Sequence, residues 1–299
     1  LIARYANRHV GRGRKRVSAG KAWLAHSNRR QYEGIVFAPG EEVPGHLNLD
    51  KGFAVVPSKG DCSRFLDHLR NNICRGDEEI STYLLAWMSD AVQNRSRRSG
   101  IAVVVRGRQG TGKGVLCTQF GSLFGPHFIQ VSQSSHLTGN FNSHLKDKVV
   151  VYADEAFWAG DKKAEGVLKA MITEDTIQIE MKGKDVITFR NHIRLMVSSN
   201  SEWVVPAGNE ERRFFVIDVG NSRMQDRALT TAFCSPSRQE NTRRRNTWRT
   251  VRCAFAKRPW TWWPTARWHR CLDPRPSLPR TAAPSRPRLT RYLRQQRRD

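Results

Sequence analysis

The sequence predicts an α/β domain with a mostly parallel sheet, preceded by a small helical segment and followed by an arginine-rich tail. Three observations carry this. Short aliphatic runs alternate with amphipathic stretches between Ile101 and Val219. The first of those runs leads directly into a glycine-rich loop and then into a helical pattern. Beyond residue 226 no helical or strand period remains that would build a core.

Length and composition bound the rest. The chain has 299 residues, and one domain per roughly 150 residues suggests about two. Lys and Arg number 51 against 27 Asp and Glu, a net charge of +24, which points to a polyanionic partner, nucleic acid before a membrane surface. The hydrophobic content of 38% suffices for a core. The longest aliphatic runs, Ile101–Val105 and Val149–Val151, fall far short of the ~18 residues a membrane span needs. Six cysteines at 62, 74, 117, 234, 253 and 271 form no CxxC pair, so neither a zinc site nor a disulfide framework is indicated. A cytoplasmic protein with reduced thiols and no membrane partner is the expectation. The chain begins with Leu1 rather than Met, which fits a piece of a longer frame.

Residues 1–60 form a basic segment rich in Gly and Pro. The run Arg12-Gly13-Arg14-Lys15-Arg16 reads first as a solvated loop, with phosphate contact or nuclear targeting as the alternatives. Turn signals at Pro39-Gly40, Pro44-Gly45 and Lys59-Gly60 predict short β elements. Residues 61–99 form a helical segment. Phe65, Leu66, Leu69 and Ile73 share one face, and Gly76 ends it. Asp77 then fits an N-cap with Glu78 and Glu79 in the first turn. Ile80, Tyr83, Leu84, Trp87, Met88, Ala91 and Val92 make a strongly amphipathic stripe, in which Trp87 is a core residue. The polar run Asn94–Gly100 reads as a linker, and a domain boundary is expected there.

Residues 100–226 carry the alternating pattern. Strands are predicted over Ile101–Arg106, Val149–Ala153, Ile193–Val197 and Phe214–Val219. Helices are predicted over Lys113–Phe124, stopped by Gly125-Pro126, and over Asp161–Thr173. Ile177–Phe189 alternates, turns at Lys182-Gly183-Lys184 and returns, which predicts a β-hairpin with a basic tip.

Within this region lies Gly107-Arg108-Gln109-Gly110-Thr111-Gly112-Lys113, which matches G-x-x-x-x-G-K. Glycines there let backbone N–H groups turn around a phosphate, and the following helix aims the positive end of its dipole at the same anion. Gly107, Gly110, Thr111, Gly112, Lys113 and Gly114 are the expected nucleotide-binding residues, with Lys113 reaching the β and γ phosphates. The pattern departs at its last position: Gly114 stands where Ser or Thr would ligate Mg²⁺, and Thr118, one turn on, is too far to replace it. Asp154 and Glu155 end an apolar strand, suited to holding Mg²⁺ through water and to polarising an attacking water. The 41 residues from Lys113 to Asp154 leave room for a helix, an intervening strand and a return. Asn200, after the strand Leu195–Ser199, can sense a γ-phosphate or place a water. Arg212 and Arg213 precede the last strand and read equally as surface ion-pair residues or as a finger for a neighbouring subunit's nucleotide.

Taken in order, GRQGTGKG (107–114), VVVYADE (149–155), the helix and basic hairpin (161–189), LMVSSN (195–200) and ERRFFVIDV (211–219) resemble a superfamily 3 helicase ATPase domain. The resemblance is nearest to the C-terminal P-loop NTPase of phage- and plasmid-type primase–helicases, and FLDHLRNNICRGDEEISTYLLAWM (65–88) is similar to the helices preceding the loop in that group. It implies an AAA+-like fold, ATP and Mg²⁺ as cofactors, and a ring, usually hexameric. Lys113 would be the loop lysine, Asp154 and Glu155 the second motif and Asn200 the first sensor. Arg212 or Arg213, the latter slightly preferred, would be the trans finger. Lys182 and Lys184 would grip single-stranded DNA in a central channel. Primase or replication-origin proteins are further implied partners, in a bacterial or phage-encoded system. Gly114 departs from the general helicase pattern, although GTGKG also looks like the phage primase subgroup.

The likeness stops near residue 226. Residues 227–299 hold 18 Arg, one Lys, three acids, five Trp and eight Pro, with no Gly, Ile or Met. Such a composition fits a GC-rich gene read out of frame. An arginine-rich disordered arm with stacking Trp, or a third domain, are the other readings. The expected function is an ATP-dependent DNA helicase module. A nucleotide-binding switch or remodelling protein without helicase activity, or an inactive truncated copy, are the alternatives.

Overall fold

The computed structural model describes residues 5–11, 16–57, 60–155, 162–183, 185–200 and 212–226, with backbone alone at 162–164. Lys184, Glu210, Glu211, the basic residues at 12–15 and the whole of 227–299 lie outside the described residues.

Five strands form one parallel sheet: β5 (Ala102–Arg106), β6 (Phe128–Val131), β7 (Val150–Asp154), β10 (Arg194–Ser199) and β11 (Phe214–Asp218). Their spatial order is β11-β5-β10-β7-β6, and every neighbouring pair runs parallel. The three central strands are buried along nearly their whole length and mostly apolar, with polar residues at their ends, because both faces are covered, as parallel sheets require. The period of two splits each strand cleanly. Val103, Val105, Val150, Tyr152, Met196 and Ile217 face one core with Phe65, Leu69, Leu84, Trp87, Leu116 and Phe120. Ala102, Val104, Val151, Ala153, Leu195 and Val197 face the other, with Leu168, Met171 and Ile172. Full burial of each large apolar side chain contributes about 1.5–3 kcal/mol before entropy is counted.

The helices follow their sequence signals. α2 (Ser63–Asp67) runs into a π-helical turn, His68–Ile73. α3 (Glu78–Gln93) starts at Asp77, whose Oδ1 accepts from the Ile80 N–H at 3.0 Å. Trp87 is buried and donates Nε1–H to the Ile101 carbonyl at 3.0 Å. The stretch 94–100 connects two parts of one core, since α3 and β5 share the same apolar cluster. α4 (Lys113–Gly121) ends before Gly125-Pro126 and continues as a 3₁₀ turn, Ser122–His127. β6 then fills the intervening position for which the spacing left room. α5 (Ser135–Thr138) and α6 (Lys162–Thr173) lie on the second face, and β8 (Thr176–Ile179) pairs antiparallel with β9 (Ile187–Arg190) as the predicted hairpin.

Before α2 the described residues form small elements. β1 (His9–Val10) pairs with β2 (Val17–Ser18), α1 spans Ala19–Ala25, and β3 (Gly34–Val36) lies parallel to β4 (His46–Asn48).

Candidate functional site

Parallel strands bring their carboxyl ends to one edge, and the loops leaving that edge bound a crevice. Here β5, β7 and β10 end beside one another, with Arg106 level with Ser199 and Asp154 level with Ser198. The loop 107–112 leaves β5 and opens α4. Gly110 and Gly112 have φ of 81° and 88°, left-handed backbone that other residues seldom adopt. Gly112 has a second reason to lack a side chain: a Cβ there would lie 2.6 Å from the His68 ring.

A cavity of about 550 Å³ lies over this loop, and Gly110, Thr111, Gly112, Lys113 and Gly114 border it together with Asp154, Glu155 and Asn200. Lys113 is 6% exposed. Its Nζ donates to the carbonyls of Gly107 at 2.7 Å and Arg108 at 2.8 Å and to Asn200 Oδ1 at 2.9 Å. Burial pulls the Lys113 pKa down, against the opposing pull of Glu155 and Asp154. Asn200 Nδ2 in turn donates to Glu155 Oε1, so lysine, amide and carboxylate form one chain. Glu155 sits at a φ of 52°, an uncommon conformation for a residue with a side chain, and its N–H is held by the Ser198 carbonyl at 3.0 Å. Asp154 accepts from Tyr152, Ser198 and Gln130. Beneath, the Cys117 thiol is fully buried, and burial drives its pKa far upward, which leaves it an inert thiol.

Gly107 lies at the back of the loop, where a Cβ would meet Val219 at 3.2 Å. The Thr111 hydroxyl turns inward to the Arg108 carbonyl at 2.9 Å. Arg212 and Arg213 precede β11, whose Phe214 is level with Ala102, and so stand at the opposite edge of the sheet from the loop. Lys182 is exposed in the β8–β9 turn. Nearby, Asn142 receives the Glu180 N–H at 2.9 Å and donates to the Gln178 carbonyl at 2.8 Å. This sets the adjacent Phe141, 58% exposed, beside the hairpin.

Two loop partners are absent from the sequence reading. Asn72 Nδ2 donates to the Thr111 carbonyl at 2.7 Å and lies 3.3 Å from His68 Nδ1, while His68 Nε2 is 3.2 Å from the Gly112 carbonyl. These contacts fit a neutral ring with its proton on Nε2, and burial, the largest influence, pulls the His68 pKa down. The signal was available: 65, 68, 69, 72 and 73 share one helical stripe, so His68 and Asn72 are polar residues at core positions. The segment after β11 closes the arrangement, with Gln225 N–H on the Gly110 carbonyl at 2.9 Å and Arg223 paired with Asp67 at 2.5 Å.

In sequence and in fold the chain is similar to part of a phage protein. The chain is 26% identical over 197 residues to the DNA primase-polymerase of Nitratiruptor phage NrS-1, a match covering 64% of this chain and 27% of that protein. Solved structures of the NrS-1 C-terminal region share the fold. One superposes with a TM-score of 0.58 at 20% identity, over 75% of this chain and 61% of that one. Another gives 0.59 at 19% identity, over 82% and 63%. Residues 105–213 match a family of unknown function, DUF5906. That match begins at the end of β5 and stops at the start of β11, so it contains the loop, Asp154, Glu155 and Asn200.

Proposed function

We propose that this chain is an ATP-hydrolysing, DNA-translocating module of a phage-type replication protein. The observation that carries the reading is the convergence of Lys113, Asp154, Glu155 and Asn200 on one cavity at the carboxyl edge of a parallel sheet. The residues suit a P-loop fold holding a nucleoside triphosphate with Mg²⁺. The left-handed glycines and the start of α4 favour an anion, and Lys113 is a cation whose present partners are exchangeable carbonyls. Asp154 would hold the metal, which when bound offsets charge on the β and γ phosphates.

Glu155 is the base in this scheme. It accepts the proton of an attacking water, and Asn200 ties its carboxylate to Lys113. Arg212 and Arg213, on the far edge, would serve a neighbouring copy in a ring. Lys182 and Lys184, with Phe141 as a stacking surface, would grip single-stranded DNA. The likeness to the phage primase-polymerase supports the replication setting, and the chain spans about a quarter of that relative.

Steady-state ATP hydrolysis of the whole chain, with and without single-stranded DNA, tests the reading. DNA-stimulated turnover that falls at least roughly 100-fold in Lys113→Ala is expected. Gly114 favours a second reading, a nucleotide switch that binds without turnover. Nucleotide binding with no hydrolysis in any condition would select it.

A further inference from the structure

Gly114 stands where the loop pattern calls for a hydroxyl, and the neighbouring strand supplies one. A Cβ on Gly114 would lie 3.6 Å from the Tyr152 hydroxyl. Tyr152 is fully buried in the centre of β7. Its hydroxyl is 2.8 Å from Asp154 Oδ1 and 2.9 Å from Ser198 Oγ, and Ser198 Oγ is 2.5 Å from the same Oδ1. Gln130 Nε2 holds the other oxygen, Oδ2, at 3.1 Å.

The hydroxyl pair has an arithmetic consequence. Three oxygen–oxygen contacts share two hydroxyl protons. Tyr152 and Ser198 both donate to Asp154 Oδ1, which leaves lone pairs on each hydroxyl oxygen, and Ser198 is the one of the two that borders the cavity. A Cβ at 114 stands at ordinary contact distance from the Tyr152 hydroxyl, so a Ser there would bring a second hydroxyl beside it. We propose that Tyr152 and Ser198 replace the missing loop hydroxyl as positioning residues for a divalent cation at Asp154. The Tyr152–Ser198 pair fixes the rotamer of the Asp154 carboxylate, and Ser198, at the cavity wall, offers a neutral oxygen acceptor to the hydration shell of the cation, the two services a loop hydroxyl renders. Outer partners of this kind commonly change metal affinity by roughly 10–100-fold.

The inference rests on the nucleotide reading above, and the experiment separates the two. Binding of a fluorescent ATP analogue to the full chain is measured in EDTA and then across a Mn²⁺ titration. The variants are Tyr152→Phe, Ser198→Ala and Tyr152→Phe combined with Gly114→Ser, each checked by thermal melting. The Mn²⁺-dependent gain in nucleotide affinity should fall roughly 10-fold in Tyr152→Phe and in Ser198→Ala. Adding Gly114→Ser to Tyr152→Phe should restore most of it, because the loop then carries its own hydroxyl and the space is free. A Mn²⁺ response equal to that of the unaltered chain in both single variants, or no rescue in the double variant, overturns the inference while leaving the nucleotide site standing. No analogue binding in either condition overturns the nucleotide reading and this one with it.

Discussion

At the amino edge of the sheet Arg194 is fully buried, and its Nη2 reaches Asp90 Oδ2 at 3.0 Å and the Asn94 carbonyl at 2.7 Å. At the carboxyl edge Lys113 is almost as buried, yet its partners are two carbonyls of its own loop and the side chain of Asn200. Both cations have their pKa lowered chiefly by burial. They differ in what holds them. Arg194 joins α3 to β10 through a fixed carboxylate, and its Nε and Nη1 have no hydrogen-bond partner among the described residues. Lys113 is held by groups that a phosphate oxygen can replace, with two carboxylates nearby that a metal can engage. One edge uses buried polarity to register helix on sheet; the other keeps it exchangeable.

The largest stability effect should come from breaking the fixed edge. Asp90→Ala leaves a buried guanidinium uncompensated, and removal of one partner of a fully buried pair costs roughly 3–5 kcal/mol. The Asp90 side chain is 26% exposed, so solvent screening lowers the expectation to about 2 kcal/mol. Arg194→Met should cost less, because the carboxylate it leaves is 26% exposed to solvent and keeps the Asn94 amide as a donor. Urea unfolding of the two variants checks this, and equal losses would mean that Arg194 is more than a register device.

The hairpin gives a middle-sized effect. Phe141→Ala should weaken single-stranded DNA binding by roughly 1 kcal/mol without changing the melting temperature, as loss of a stacking surface does. Fluorescence anisotropy with a labelled oligonucleotide reads it. Unchanged affinity would confine DNA contact to the basic groups.

The smallest effect is a pH dependence at the exchangeable edge. Folding holds His68 neutral, with a pKa below its ordinary 6.5. The unfolded chain therefore takes up the proton first as pH falls. The His68 contribution is complete above about pH 6.5 and is lost progressively as pH drops below it. The urea midpoint should decline below that pH in the unaltered chain and decline less in His68→Gln, whose amide can still donate to the Gly112 carbonyl.

Much of this was legible in the sequence because the physics is local. Aliphatic runs marked β5, β7, β10 and β11, and Asp77 marked the start of α3 to the residue. The loop glycines and Lys113 stood out by spacing alone, and the structure gathers Gly110, Gly112 and Lys113 around one cavity. What stayed hidden was non-local. β6, Phe-Ile-Gln-Val, is only half buried at the sheet edge, so its pattern lacks the continuous apolar run of the central strands. The insertion of β10 between β5 and β7 depends on pairing across long loops that no local period records. The stretch 94–100 looks like a linker by composition, although the elements it joins share a core. His68 and Asn72 touch the loop about forty residues downstream, a contact visible beforehand only as misplaced polarity on a helical stripe.

The most direct measurement is nucleotide affinity at the two edges. Binding of a fluorescent ATP analogue is compared for the unaltered chain, Lys113→Ala and Arg194→Met at a temperature where all three are folded. The account predicts a loss of at least roughly 100-fold in Lys113→Ala and little change in Arg194→Met. Equal affinity in Lys113→Ala and the unaltered chain would contradict it.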